Sequence, residues 1–174
     1  EEIEKEYKED KINELKYLNF DYSIAIENGT PQERINNRLR AFNLIQSDEG
    51  NYQIMAENTD WGDKSSKKEL SYILYQISND YEELGEENNK LEILINKYNF
   101  DKKNELGEDL LASTARKITD ILRKGRYEFA LQWERITAAH NSNCGYDNAT
   151  SSRNMGHLYI ALSKKEREDK YQQY

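Results

Sequence analysis

Residues 21–42 read DYSIAIENGTPQERINNRLRAF, two short helical patterns joined by a tight turn at Asn28-Gly29. Gly29 lies four residues after Ala25 and six before Ile35. A small residue suits the crossing of two helices, and glycine suits a turn position of positive φ. Thr30 is placed to cap the second helix, Pro31 fits its first position, and Glu33 completes a T-x-x-E capping box. Ile35, Leu39 and Phe42 then recur at helical spacing, which predicts one apolar face. Gln32, Glu33, Asn36, Asn37 and Arg40 fall on the opposite, polar face.

This arrangement resembles the helix-turn-helix family of DNA-binding domains, in the variant with an Ala, an Asn-Gly turn and a helix ending in Arg-hydrophobic-Arg. The resemblance covers only residues 21–42 of 174. It implies that Gln32, Glu33, Asn36, Asn37 and Arg40 face the major groove, where amides pair with adenine edges and arginine with guanine. Arg34 and Arg38 would contact phosphate or pair with nearby acid. The role implied is a regulator, or a replication or maintenance factor, acting on double-stranded DNA. A single module of this kind binds weakly, so a homodimer or a second DNA-facing unit is expected.

Immediately after this stretch, LIQSDEGNYQIM carries a turn signal, Asp48 to Asn51, between two short apolar runs. That order predicts a β-hairpin and hence a winged helix over residues 1–60. The acidic tip, Asp48 and Glu49, departs from a basic wing.

The remaining residues, 61–174, read as a helical domain. Trp61 is expected to anchor a polar connector. Residues 66–84 and 86–98 form an amphipathic helical hairpin with Leu70, Ile73, Leu74, Ile77, Tyr81, Leu84, Leu91, Leu94, Ile95 and Tyr98 expected inward. Its stripe is a core face, or the seam of a dimer. A polar loop is expected at 99–107. A three-helix unit follows over 108–166, with Leu111, Ala115, Ile118, Leu122, Phe129, Ala130, Trp133, Ile136, Met155, Leu158, Tyr159 and Leu162 as its apolar positions. Of these, Phe129, Ala130, Trp133 and Ile136 are expected to be buried. The last helix opens A-T-S-S-R-N, and Ser151, Ser152, Arg153 and Asn154 form the exposed face of a possible second helix-turn-helix. The fold class is therefore mainly α, with one strand pair.

Composition limits the function. The net charge is −8, with sums of −3 over 1–20, zero over 21–46, −9 over 47–109 and +4 over 110–174. Duplex binding needs clustered cations, so the acid argues against broad non-specific binding while leaving a small specific contact open. Mean hydropathy is −1.06. No run of eighteen apolar residues is present, so no membrane span is expected. The opening EEIEKEY has neither initiator Met nor basic signal region, as expected of a piece of a longer, intracellular protein. The single cysteine, Cys144, excludes an internal disulfide framework and fits a reducing compartment.

Two histidines leave little material for catalysis. Arg135 and His140 form an R-x4-H pair, which resembles the motif of the all-helical HEPN ribonucleases, but Ile136 stands where those enzymes carry a polar residue. His140, Asn154 and His157 do not have the spacing of an HNH nuclease. Cys144 with His140 makes neither a zinc site nor a supported nucleophile pair. The expectation is a protein that is not an enzyme and takes no metal or cofactor. A protein-interaction module built on tandem winged helices is the alternative, with the ribonuclease third.

Overall fold

The computed structural model describes residues 10, 13, 28–48, 50–51 and 66–171, the side chains of the last two excepted. Six helices are present among them: α1 (Pro31–Ser47), α2 (Ser66–Glu83), α3 (Glu87–Lys103), α4 (Glu108–Leu122), α5 (Tyr127–Asn143) and α6 (Ala149–Tyr171). The chain divides within α3 into two compact units, Glu1–Ile93 and Leu94–Tyr174.

No strand occurs among the described residues, and the expected β-hairpin wing is wrong. Leu44 and Ile45, read as the start of its first strand, are the last full turn of α1. The physical reason is phase. The buried stripe of α1 is Ile35, Arg38, Ala41 and Ile45, so Ile45 continues a helical period. Asp48 then caps the end. Its carboxylate accepts the Gly50 amide at 2.9 Å, its carbonyl accepts the Asn51 amide, and the Asn51 side chain donates back to the Leu44 carbonyl. Asp48 thus stands at the end of a helix, and Gly50 and Asn51 are helical in place of a hairpin turn. The expected second strand, 52–55, the helix before Gly29 and Trp61 lie outside the described residues.

In the first unit α1 packs on α2. Ile35, Ala41 and Ile45 and, from α2, Leu70, Ile73, Leu74 and Ile77 are buried. Full burial of each large aliphatic side chain contributes about 1.5–3 kcal/mol. Gly85 ends the α2 turn at φ 72 with two reverse hydrogen bonds, Gly85 amide to Glu82 carbonyl and Glu86 amide to Tyr81 carbonyl. This is the Schellman closure that a left-handed residue allows.

In the second unit α5 packs against both α4 and α6. Leu94 and Tyr98 of α3, Leu111, Ala115, Ile118 and Leu122 of α4, Ala130 and Leu131 of α5 and Leu158 of α6 are buried. Phe129, expected inside, is 57% exposed, and the inward positions on α5 include Glu134 and Thr137 instead. The expected loop at 99–107 begins only after Lys103, because α3 continues through a buried Lys97–Asp101 pair one turn apart. Lys97 also donates to the Thr114 hydroxyl at 3.2 Å.

Candidate nucleic-acid interface

The N-terminus of α1 is built as its sequence requires. The Glu33 amide donates to the Thr30 hydroxyl, and the Glu33 carboxylate accepts the Thr30 amide at 2.8 Å. The Thr30 amide first, and then the Thr30 hydroxyl, both donating to it, hold the Glu33 carboxyl below its usual range. Glu33 is therefore occupied as a cap.

The arginines of this helix have separate fates. Arg34 Nε donates to Asp80 at 2.7 Å, its Nη1 to the Gly29 carbonyl at 2.9 Å, and its Nη2 to Glu83. Arg38 is buried and meets the other Asp80 oxygen. One α2 carboxylate, itself buried, thus closes on both guanidinium groups. Of the two roles expected for Arg34 and Arg38, these contacts are the acid pairing. Their cost of desolvation is offset only because each charge is met, so the clamp fixes the rotation of α1 on α2.

That rotation decides what faces solvent. Gln32, Asn36 and Arg40 are exposed and Asn37 is half-buried. They lie at i, i+4 and i+8, one edge of the helix. The Gln32 amide donates to Asn36 at 3.1 Å, and Asn37 donates to the Glu33 carbonyl at 2.9 Å. The face is rich in amide groups, with Arg40 as its cation.

On α6 the expected four-residue face splits. Ser152 and Arg153 are exposed, but Ser151 is fully buried and Asn154 turns toward α5. Asn154 accepts from Arg123 at 3.0 Å and donates to the buried Glu134 carboxylate at 3.4 Å. Three-residue spacing puts Ser151 and Asn154 on the inward side.

The R-x4-H pair also separates. Five residues turn a helix by about 140° beyond one full turn. Arg135 donates to the Tyr159 hydroxyl at 2.7 Å. His140 instead joins a relay with α3 and α4: Nδ1 lies 2.6 Å from Glu108, and Nε2 lies 2.8 Å from the Tyr98 hydroxyl. Asn143 donates to the same Glu108 oxygen at 2.9 Å. Those bonds, His140 first, hold Glu108 below the usual carboxylate range. Burial and then the Glu108 charge push the Tyr98 hydroxyl up. Tyr98 also stands edge-on to Trp133, with centroids 4.9 Å apart. Nothing in the spacing of Tyr98, Glu108 and His140 flagged this trio, since it comes from three helices. Cys144 is free, and burial with the charges of Asp109 and Glu108 raises its thiol above the usual range, the opposite of an activated nucleophile. No group of side chains suited to a metal ion occurs among the described residues.

Comparisons with protein-family models, with curated proteins and with solved structures find no match. No helix among the described residues is long and apolar enough to cross a membrane.

Proposed function

We propose that this chain recognises duplex DNA through the outward edge of α1 and that it is not an enzyme. The observation that carries this reading is the exposed ladder of Gln32, Asn36 and Arg40 on a helix locked in rotation by Asp80. Two amides and a guanidinium on one edge are the groups that pair with adenine and guanine in the major groove. Because Arg34 and Arg38 are engaged by acid, α1 contributes base contacts and little phosphate contact. The Glu108–His140–Tyr98 relay reads as a structural tie between three helices.

The test is selection of a duplex from a random library, followed by anisotropy titration with Gln32→Ala, Asn36→Ala and Arg40→Ala. Each variant is expected to lose about 1–3 kcal/mol on the selected duplex, and less on an unrelated one. Failure to enrich any duplex, or three variants binding as tightly as the parent, would overturn the proposal.

A protein partner is the second reading. It is favoured by Phe129, which stands exposed beside Leu162 in a 330 Å³ groove of the second unit. Photo-crosslinking from position 129 to one saturable partner, with no duplex enriched, would select it.

A further inference from the structure

A duplex-binding protein needs phosphate contacts, and α1 has given up two of its three arginines to Asp80 and Glu83. Arg40 and Lys67 are exposed in the same unit, and a further set of exposed cations stands in the other unit. Along α6, Ala149, Arg153, Gly156, Ile160, Lys164 and Arg167 recur at steps of three and four, and all six are exposed. They occupy one face, opposite the buried Ser151 and Leu158 that turn inward. No acidic residue occurs in the sequence between Asp147 and Glu166. In a chain of net charge −8 this is a segregated basic face.

We infer that the outward face of α6 binds the phosphate backbone of duplex DNA, with Arg153, Lys164 and Arg167 as the contacting cations. This rests on the proposed DNA reading of α1 only for the identity of the ligand. Charge complementarity selects the occupant, since the six positions of this face carry three cations and no carboxylate. The nearest acids are Glu166 and Glu168, on either side of Arg167. The dimensions agree. Arg153 and Lys164 are eleven residues apart, about 16 Å along a helix. The major groove is about 12 Å wide, so a helix crossing it places those side chains at opposite phosphate walls. Between them Gly156 leaves open space, with nothing within 4 Å of where a Cβ would stand, so the helix backbone can come close to its ligand. Ile160, 57% exposed, offers an apolar contact of the kind thymine methyl groups accept.

The experiment is a salt series of duplex binding by the full chain, read by anisotropy. R153Q/K164Q/R167Q is compared with K67Q/K102Q/K103Q, which removes the same charge from exposed positions elsewhere. Circular dichroism first checks that both variants retain the parent helix content. Each phosphate contact contributes a slope of about 0.9 in log K against log salt, so the α6 variant should lose up to about 2.7. The control should keep the parent slope. Equal slopes in parent and α6 variant, or equal losses in both variants, overturn the inference.

The two proposals fail separately. Binding that depends on Asn36 and Arg40 but has an unchanged slope in the α6 variant sinks this inference alone. Salt-dependent binding that is lost in the α6 variant, with the α1 variants neutral, sinks the α1 reading alone. Binding of the parent, but not the α6 variant, to phosphatidylserine vesicles with none to DNA would replace the duplex by a membrane surface and overturn both.

Discussion

Helices α1 and α6 both carry cations at helical spacing, but they dispose of them in opposite ways. On α1, Arg34 and Arg38 turn toward α2, where Asp80 binds both. On α6, Arg153, Lys164 and Arg167 turn away from α5, and the inward positions go to Ser151, Asn154 and Leu158. The number of basic residues, three on α1 and five on α6, does not by itself explain this. Each facing helix carries a buried carboxylate, Asp80 on α2 and Glu134 on α5; what separates the two is the group that meets it, arginines on α1 and the neutral Asn154 on α6. A helix held through its arginines has fixed rotation and few free charges, whereas one held through an amide leaves its cations exposed.

The largest expected effect comes from breaking the clamp itself. Asp80→Ala leaves Arg38 buried without its carboxylate, and removal of one partner of a buried pair typically costs about 3–5 kcal/mol. Hydrogen exchange should show the loss in α1 and α2, with α4 and α5 unchanged. The change also makes α1 more like α6, because it removes the carboxylate that Arg34 and Arg38 share and leaves Glu83 on Arg34. Any folded fraction should therefore bind unselected duplex more tightly and with a steeper salt slope. Protection of α1 equal to that of the parent would show that the Asp80 contacts do not hold the helix.

The second unit is tied differently, through Glu108, His140 and Tyr98, and acid acts on that tie. A carboxyl held below its unfolded value stabilises the fold above that value and loses the contribution as pH falls through the folded one. Glu108 is such a group, with the His140 hydrogen bond as the main cause. Exchange protection of α4 and α5 should thus fall below the ordinary glutamate range. In Glu108→Gln that decline should flatten while protection at neutral pH is lower. An identical acid profile in the variant would exclude Glu108 as the group responsible.

The sequence showed the inward faces of α2 and α4 more clearly than that of α1, and the reason is the same buried chemistry. Helices α2 and α4 bury polar groups too, Asp80 and Thr114 among them, but their apolar periods, Leu70–Ile73–Leu74–Ile77 and Leu111–Ala115–Ile118–Leu122, run unbroken in the sequence as they do in the fold. On α1 the centre of the buried stripe is Arg38. A reading based on apolar period therefore passed through Leu39 and Phe42, lost the phase by Leu44 and took Ile45 for a strand. Glu134 and Thr137 had the same effect on α5, where Phe129 was expected inside and lies outside. Lys97 and Asp101 made the end of α3 look like a loop. The polar edge of α1 was legible because the capping box fixed where the helix begins. The His140 relay was not, because Tyr98 and Glu108 are remote in sequence. Nor was the α6 face, whose inward Ser151 and Asn154 resemble a polar surface.

Gly156 gives the smallest effect and the sharpest question about α6. It sits in mid-helix, where glycine costs about 0.5–1 kcal/mol relative to alanine. The unit itself asks for no small residue there, since a Cβ would meet nothing within 4 Å. Gly156→Ala should therefore raise the denaturation midpoint by the equivalent of that amount, with no change in helix packing. If a duplex approaches the α6 backbone closely at this point, the same substitution should weaken duplex binding while leaving the salt slope intact, because no cation is removed. A stability gain with unaltered affinity would place the ligand on Arg153, Lys164 and Arg167 at arm's length. The α6 face would then act through its charges alone, with Ile160 outside the contact.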